Sequence, residues 1–235
     1  MIPLRRTVMV LAIFSVAMGF LETAVVVYLR ELYYPSGFRF PLVPISDHIA
    51  MVEFLREAAT MVMLITVGYL AGRSLAQRFC FFLFCFAVWD IFYYVFLKLF
   101  LSWPESLFTW DILFLIPVPW VGPVFAPCLL SLTMILLMLL IVFFHEKNIA
   151  VRINRREWLL FITGAAVTIA AFVQDYFQYA SRTEGATSQK LFDDMVHYVP
   201  QSFNWLLFLC GEGLLLAGIA LLWKRMRQQA SAISA

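Results

Sequence analysis

Residues 129–144, LLSLTMILLMLLIVFF, contain no charged side chain and only two hydroxyl-bearing ones. A surface helix of a soluble domain alternates apolar and polar faces, and this stretch has no polar face to turn toward water. About 20 mostly apolar residues are needed to cross the hydrocarbon core of a bilayer, and the apolar character here extends over 124–144. The stretch therefore predicts a membrane-spanning helix.

The rest of the chain has the same character. Of its 235 residues, 63% are hydrophobic and 14% are charged, and the mean hydropathy is +0.86. Soluble domains are about 45–50% apolar and about 25% charged. Disordered chains, coiled coils and nucleic-acid-binding domains need more charge, so those classes are excluded and nucleic acid is not expected as a partner. We expect an all-α, polytopic integral membrane protein that forms a single domain over 1–235.

Six segments meet the requirements for a membrane span. They cover roughly residues 7–29, 49–71, 79–100, 124–144, 157–177 and 202–223. The first follows a pair of arginines, as a signal peptide would. Its apolar run continues to Leu29, however, which is longer than the roughly 7–15 residues of a signal peptide's apolar region. We therefore expect this segment to be a retained helix.

Segment 102–123, SWPESLFTWDILFLIPVPWVGP, is apolar but interrupted by prolines. Ser102 and Glu105 have the spacing of a capping box, which predicts the start of a helix, and Pro117 stops that helix before it is long enough to span. A seventh span here would also place the basic segment 147–156 outside, against the positive-inside rule. We expect a re-entrant or interfacial helix on the outer side.

The distribution of lysine and arginine orients the six-span bundle. The segments predicted to be cytoplasmic contain Arg5, Arg6, Arg73, Arg78, Lys147, Arg152, Arg155, Arg156, Lys224, Arg225 and Arg227. The outer loops contain only Arg30, Arg39, Arg182 and Lys190. The pattern predicts two cytoplasmic termini and a location in a plasma membrane of the bacterial inner-membrane type. The segment 187–199 has one apolar face and is expected to form a helix on the outer surface.

Ionisable side chains inside the predicted spans are the candidate functional residues, because charge at membrane depth is costly. The carboxylates are Glu22, Glu53, Glu57, Asp90 and Glu212, and the cations are Arg56 and Lys98. Three carboxylates are thus left without a counter-charge. They must be protonated, bound to cations or hydrated in a cavity, and each state suits proton transfer, ion coupling or acid–base chemistry.

Helical spacing favours convergence of these groups. Glu53 and Glu57 are four residues apart on one face of the second span, and Asp90, Tyr94 and Lys98 share a face of the third. We expect such faces to surround one polar cavity that opens to the outer side. Asp111 and Asp175 are predicted near its outer boundary.

Three classes of function fit this cavity. An intramembrane enzyme acting on a lipid or isoprenoid-like substrate would use carboxyl groups as acid and base. A small proton- or cation-coupled transporter would use them as relays, although only one irregular segment is found where transporters often have two matching ones. An accessory or assembly subunit of a membrane complex would use the polar groups as internal scaffolding, with Glu53–Arg56 and Asp90–Lys98 as structural pairs.

The enzyme hypothesis assigns a role to each candidate residue. Its predicted catalytic residues are Glu22, Glu53, Glu57 and Asp90. Its predicted substrate-binding residues are Arg56, Tyr94, Lys98, Asp111, Asp175 and Glu212. Membrane lipid is the expected partner, with other membrane subunits as partners under the accessory hypothesis.

Signals for metals and cofactors are weak. The four cysteines lie in predicted spans without a C-x-x-C motif, and His48, His145 and His197 do not form a ligand pair on one helix. The sequence also lacks the P-loop, G-x-G-x-x-G, H-E-x-x-H and G-x-S-x-G motifs. We therefore expect no metal and no cofactor.

Overall fold

The computed structural model describes residues 4–147, 149–182 and 195–234. In that part of the chain, six helices and one two-stranded sheet follow one another in the order α1 (Leu4–Tyr33), α2 (Asp47–Ala71), α3 (Leu75–Leu101), β1 (Trp110–Phe114), β2 (Trp120–Pro123), α4 (Phe125–Glu146), α5 (Arg155–Arg182) and α6 (Trp205–Ser234).

Five of these helices are long and apolar enough to cross a membrane, namely α1, α3, α4, α5 and α6. The remaining helix, α2, is 25 residues long but carries Asp47, Glu53, Arg56 and Glu57 in its first three turns. The prediction of a helical protein with several membrane-type helices is therefore confirmed.

Close contact between α2 and α3 brings the charged turns of α2 toward the C-terminal half of α3. A Cβ atom on Gly68 would lie 2.7 Å from the backbone nitrogen of Phe82, and one on Gly72 would lie 2.5 Å from that of Arg78. Only glycine permits this approach of the two backbones. Because α2 and α3 run antiparallel from this tight junction, the start of α2 and the end of α3 lie at the same end of the bundle.

Segment 102–123 contains a β-hairpin, so the predicted re-entrant or interfacial helix is wrong. The strands are antiparallel, with Trp110 opposite Pro123 and Ile112 opposite Val121. The residue at the expected helix start, Ser102, instead ends α3 in the left-handed conformation, with φ 54°.

The composition of the segment explains the hairpin. Pro117 and Pro119 lie in the connection between the strands, where no ladder N–H is required of them. The paired positions are occupied mainly by aromatic and β-branched residues, which favour strands over helices. Capping-box spacing was thus outweighed by the residues that follow it.

The hairpin packs against the C-terminal part of α5 and the chain that enters α6. A Cβ on Gly122 would lie 3.1 Å from ring carbons of both Phe172 and Phe203. Val121 is fully buried in a cluster with Tyr176, Met195 and Tyr198.

Most of the predicted surface helix 187–199 falls on residues 183–194, which lie outside the described residues. We call the end of the bundle that carries β1 and β2 the hairpin end.

Candidate functional site

A cavity of about 200 Å³ lies at the hairpin end, between α1, the first turns of α2, α3 and β1. Its wall includes seven of the ten residues that the sequence singled out: Glu22, Glu53, Arg56, Glu57, Asp90, Tyr94 and Asp111. Much of the remaining wall is apolar or aromatic, including Val26, Leu29, Leu42, Tyr93 and Leu113. The structure thus brings most of the predicted polar groups together in one amphipathic cavity.

Arg56 binds two of the carboxylates. Its Nε and Nη2 donate to Oε2 of Glu53 at 2.9 Å and 2.7 Å, and its Nη1 donates to Oε1 of Glu22. The backbone oxygen of Arg56 accepts a hydrogen bond of 3.0 Å from Oγ1 of Thr60. The Glu53–Arg56 pair suggested by the accessory hypothesis is therefore present, and it is extended from α2 to α1 by Glu22.

A second ion pair joins α1 to the hairpin. Nη2 of Arg30 lies 3.3 Å from Oδ1 of Asp111, and the Tyr94 hydroxyl donates to Oδ2 of Asp111 at 3.2 Å. The Arg30 guanidinium carbon lies 3.8 Å from the ring centroid of Trp103 and 4.3 Å from that of Phe38. Burial raises the pKa of Asp111 to about 6, although Arg30 and the Tyr94 hydrogen bond oppose the shift.

Arg30 is not among the residues predicted from the sequence, because it was expected in an outer loop. In the structure Arg30 lies in the last turn of α1 and is only 7% exposed. The signal in the sequence that could have identified Arg30 as a cavity residue is its helical spacing from Glu22. Arg30 follows Glu22 by eight residues, and positions i, i+4 and i+8 share a face of a helix.

Glu57 and Asp90 are the buried or half-buried carboxyl groups of the cavity without a cation, whereas Asp47, which also lines the cavity, is exposed. Oε2 of Glu57 accepts a hydrogen bond of 2.8 Å from the backbone nitrogen of Leu115, and Oδ2 of Asp90 accepts one of 2.9 Å from Oγ of Ser131. Neither forms an ion pair with any residue that the structure describes. Each carboxyl group is oriented by one hydrogen bond and faces the cavity without a counter-charge.

The suggested Asp90–Lys98 pair is wrong, because Lys98 is used elsewhere. Its Nζ donates to the backbone oxygens of Ser102 and Pro104, at 3.1 Å and 2.8 Å. A cation at this position stabilises the free carbonyl groups at the end of α3.

Asp175 and Glu212 also lie outside the cavity wall. Asp175 accepts hydrogen bonds from the Tyr198 hydroxyl at 2.7 Å and the Ser202 nitrogen at 3.0 Å, which fixes the chain before α6. Glu212 accepts from Oγ1 of Thr133 at 2.8 Å and so links α6 to α4. For these two residues and Lys98, a role in substrate binding stays a prediction.

The described residues contain no group of three or more His, Cys, Asp or Glu side chains arranged to hold a metal ion. Comparison of the chain with protein families, curated proteins and solved structures gives no match. The cavity's own geometry is therefore the basis for a functional proposal.

Proposed function

We propose that the chain is an intramembrane enzyme that acts on a lipid or isoprenoid-like substrate, with Glu57 and Asp90 as its acid and base. The observation that carries this proposal is that two carboxyl groups without a cation line one cavity whose wall is otherwise largely apolar. Such a wall suits the hydrocarbon part of an amphiphile, and the carboxyl groups suit proton transfer at its polar end.

The chemistry needs one carboxyl group in each protonation state. The protonated one donates its proton to the substrate, and the ionised one removes a proton from the substrate or from water. The enzyme therefore ends a turnover with the same number of protons. Glu22 and Glu53 differ from this pair because both bind Arg56, so the proposal gives them the role of holding that cation.

We further propose that α2 is the sixth span, that both termini are cytoplasmic and that the cavity opens to the outer side of a plasma membrane. The support comes from the end of the bundle opposite the hairpin. There, Arg225 of α6 binds Glu157 of α5 at 2.8 Å, and Gln77 of α3 lies 3.2 Å from His145 of α4. The basic residues near these contacts place positive charge at the end remote from the cavity, as the positive-inside rule requires of a cytoplasmic face.

The test uses Glu57→Gln and Asp90→Asn, which keep the shape of each side chain and an oxygen that accepts the observed hydrogen bond. Each purified protein is incubated with a total lipid extract from its host membrane, and the lipids are compared by mass spectrometry before and after. We expect the wild-type protein to convert one lipid species. We expect both variants to convert it roughly 100-fold more slowly or worse, because general acid–base catalysis contributes about 10²–10⁴-fold.

The matched control is Glu31→Gln, which changes an exposed carboxylate next to Arg30 and should leave turnover unchanged. A wild-type protein that converts no lipid, but co-purifies with stoichiometric protein subunits, would instead support the accessory hypothesis.

A further inference from the structure

Two buried N–H donors on the cavity wall have no acceptor in the described structure. They are Nη1 of Arg30 and Nε1 of Trp89. The two residues are 7% and 6% exposed, so bulk solvent does not reach these atoms freely. A buried donor without a partner destabilises the folded protein, and more so when the group is charged. Native proteins therefore usually provide a partner for such groups, including a bound ligand.

Arg30 differs in this respect from the other arginine of the cavity. Arg56 directs Nε, Nη1 and Nη2 at Glu53 and Glu22, so its hydrogen-bonding edges are occupied. Arg30 uses Nη2 for Asp111 and leaves Nη1 without an acceptor.

The free edge of Arg30 is held in a fixed orientation. The guanidinium lies over the rings of Trp103 and Phe38, and Asp111 fixes one of its nitrogens. Tyr94 in turn holds the second oxygen of Asp111. A guanidinium that is already oriented loses little entropy on binding, and its planar N–H donors match the oxygens of phosphate and carboxylate groups.

We propose that the substrate's polar head carries an oxyanion, a phosphate or a carboxylate, and that Nη1 of Arg30 binds it. This inference rests on the proposed function, because it names the substrate class of the same cavity. No carboxylate of the described structure occupies this edge: Nη1 of Arg30 has no acceptor, Glu22 and Glu53 bind Arg56, and Asp111 binds the other nitrogen of Arg30. Trp89 on α3 offers a further buried donor on the wall of the same cavity.

The test measures binding of three probes to the purified protein in neutral detergent by tryptophan fluorescence. Dodecyl phosphate carries an oxyanion and a chain, dodecanol carries the chain alone, and inorganic phosphate carries the oxyanion alone. We expect the wild-type protein to bind dodecyl phosphate roughly tenfold more tightly than dodecanol or better, because hydrogen bonds to charged groups are the stronger ones.

Two variants separate recognition from folding. Arg30→Gln alone would leave Asp111 as an unpaired buried charge, so it is combined with Asp111→Asn. The single variant Asp111→Asn keeps Arg30 and an oxygen that can accept from Nη2, and it removes the negative charge beside the guanidinium, so it should bind dodecyl phosphate at least as tightly as the wild-type protein does. The double variant should lose roughly tenfold in affinity for dodecyl phosphate and keep its affinity for dodecanol.

Equal affinity of the wild-type protein for dodecyl phosphate and dodecanol would overturn the inference, while leaving the cavity as a site for neutral amphiphiles. Equal affinity of the single and double variants for dodecyl phosphate would overturn it as well. If inorganic phosphate bound as tightly as dodecyl phosphate, the oxyanion site would stand and the proposed lipid substrate would be contradicted. Failure of all three probes to bind would contradict both proposals.

Discussion

Apart from the exposed Asp47, the charged side chains of the cavity fall into two groups according to their partners. Glu22, Glu53 and Asp111 each bind an arginine, and these ion pairs connect α1 to α2 and α1 to the hairpin. Glu57 and Asp90 bind only one neutral donor each. Ion pairs with satisfied partners hold helices in place, whereas carboxyl groups without a counter-charge remain available for proton transfer.

Replacing Arg56 should destabilise the protein, because it leaves Glu22 and Glu53 as neighbouring carboxylates without a cation. Their side chains are only 12% and 11% exposed. Breaking a buried pair from one side costs about 3–5 kcal/mol, so we expect Arg56→Gln to lower the unfolding temperature in detergent markedly.

Two matched variants check this interpretation. Arg39→Gln removes an exposed arginine and should leave the unfolding temperature unchanged. The combination Glu22→Gln, Glu53→Gln and Arg56→Gln should recover most of the loss, because it leaves no uncompensated charge. If the triple variant were no more stable than Arg56→Gln, the ion network would not be the source of the effect.

Asp111 should change its charge near pH 6. Its pKa is raised by burial to about 6, so the group is a neutral acid below that pH and a carboxylate paired with Arg30 above it. Infrared difference spectra should show a protonated-carboxyl band that grows as the pH falls through about 6. The spectrum of Asp111→Asn should lack this protonated-carboxyl band and retain any bands of the other acids. A wild-type spectrum identical to that of the variant between pH 5 and 7 would contradict this titration.

At the scale of whole elements, α5 and α6 depend on small residues for their close approach. A Cβ on Gly211 would lie 2.8 Å from the backbone nitrogen of Thr168 and 3.0 Å from the backbone oxygen of Gly164. Gly211→Ala therefore forces the two helices apart, and we expect it to cost about 1–3 kcal/mol, measured as a lower unfolding temperature.

Gly213 provides the control within the same helix. A Cβ at this position would meet no atom within 4 Å. Gly213→Ala should therefore leave the unfolding temperature unchanged or slightly higher, since alanine favours helices more than glycine does. Equal losses from both substitutions would show that helix contact is not the cause.

The hairpin is the element whose type the local sequence patterns predict wrongly. A capping box and a stop signal at Pro117 are local signals that predict a short helix. The segment adopts strands because β1 and β2 satisfy each other's backbone groups and pack their apolar side chains against α5 and the chain entering α6. Those partners are far away in sequence, so a local pattern could not reveal them.

The helices themselves were easier to predict, because each long apolar run needs only its own backbone hydrogen bonds. Convergence of the carboxyl groups followed partly from spacing, as for Glu53 and Glu57. The role of Lys98 did not follow from helical spacing. It depends on Ser102, which ends α3 in the left-handed conformation and brings the backbone oxygens of Ser102 and Pro104 to the Lys98 side chain. The pairing of Arg30 with Asp111 also depends on the hairpin and was beyond the reach of helical spacing alone.

On the scale of the whole molecule, the cavity lies at the hairpin end of the bundle, and the basic residues predicted to be cytoplasmic, such as Arg78 and Arg225, lie at the other end. The proposed orientation predicts that a cysteine at position 105, near the hairpin, reacts with a membrane-impermeant maleimide added to intact cells. One at position 228, near the end of α6, should react only after the membrane is permeabilised. Glu105→Cys and Gln228→Cys are made in a background with the four native cysteines changed to serine. The opposite labelling pattern would show that the orientation of the protein in the membrane is the inverse of the proposed one.

Photolabelling of the cavity tests most directly whether an amphiphile occupies it. The probe is a dodecyl phosphate with a diazirine beside its head group, and the labelled residues are identified by mass spectrometry of the digested protein. We expect labels on the cavity wall, in residues 26–34, 89–94 and 111–115, with excess unlabelled dodecyl phosphate suppressing them. Labels confined to exposed positions of α4 and α6, undiminished by the competitor, would mean that the cavity does not bind such a ligand.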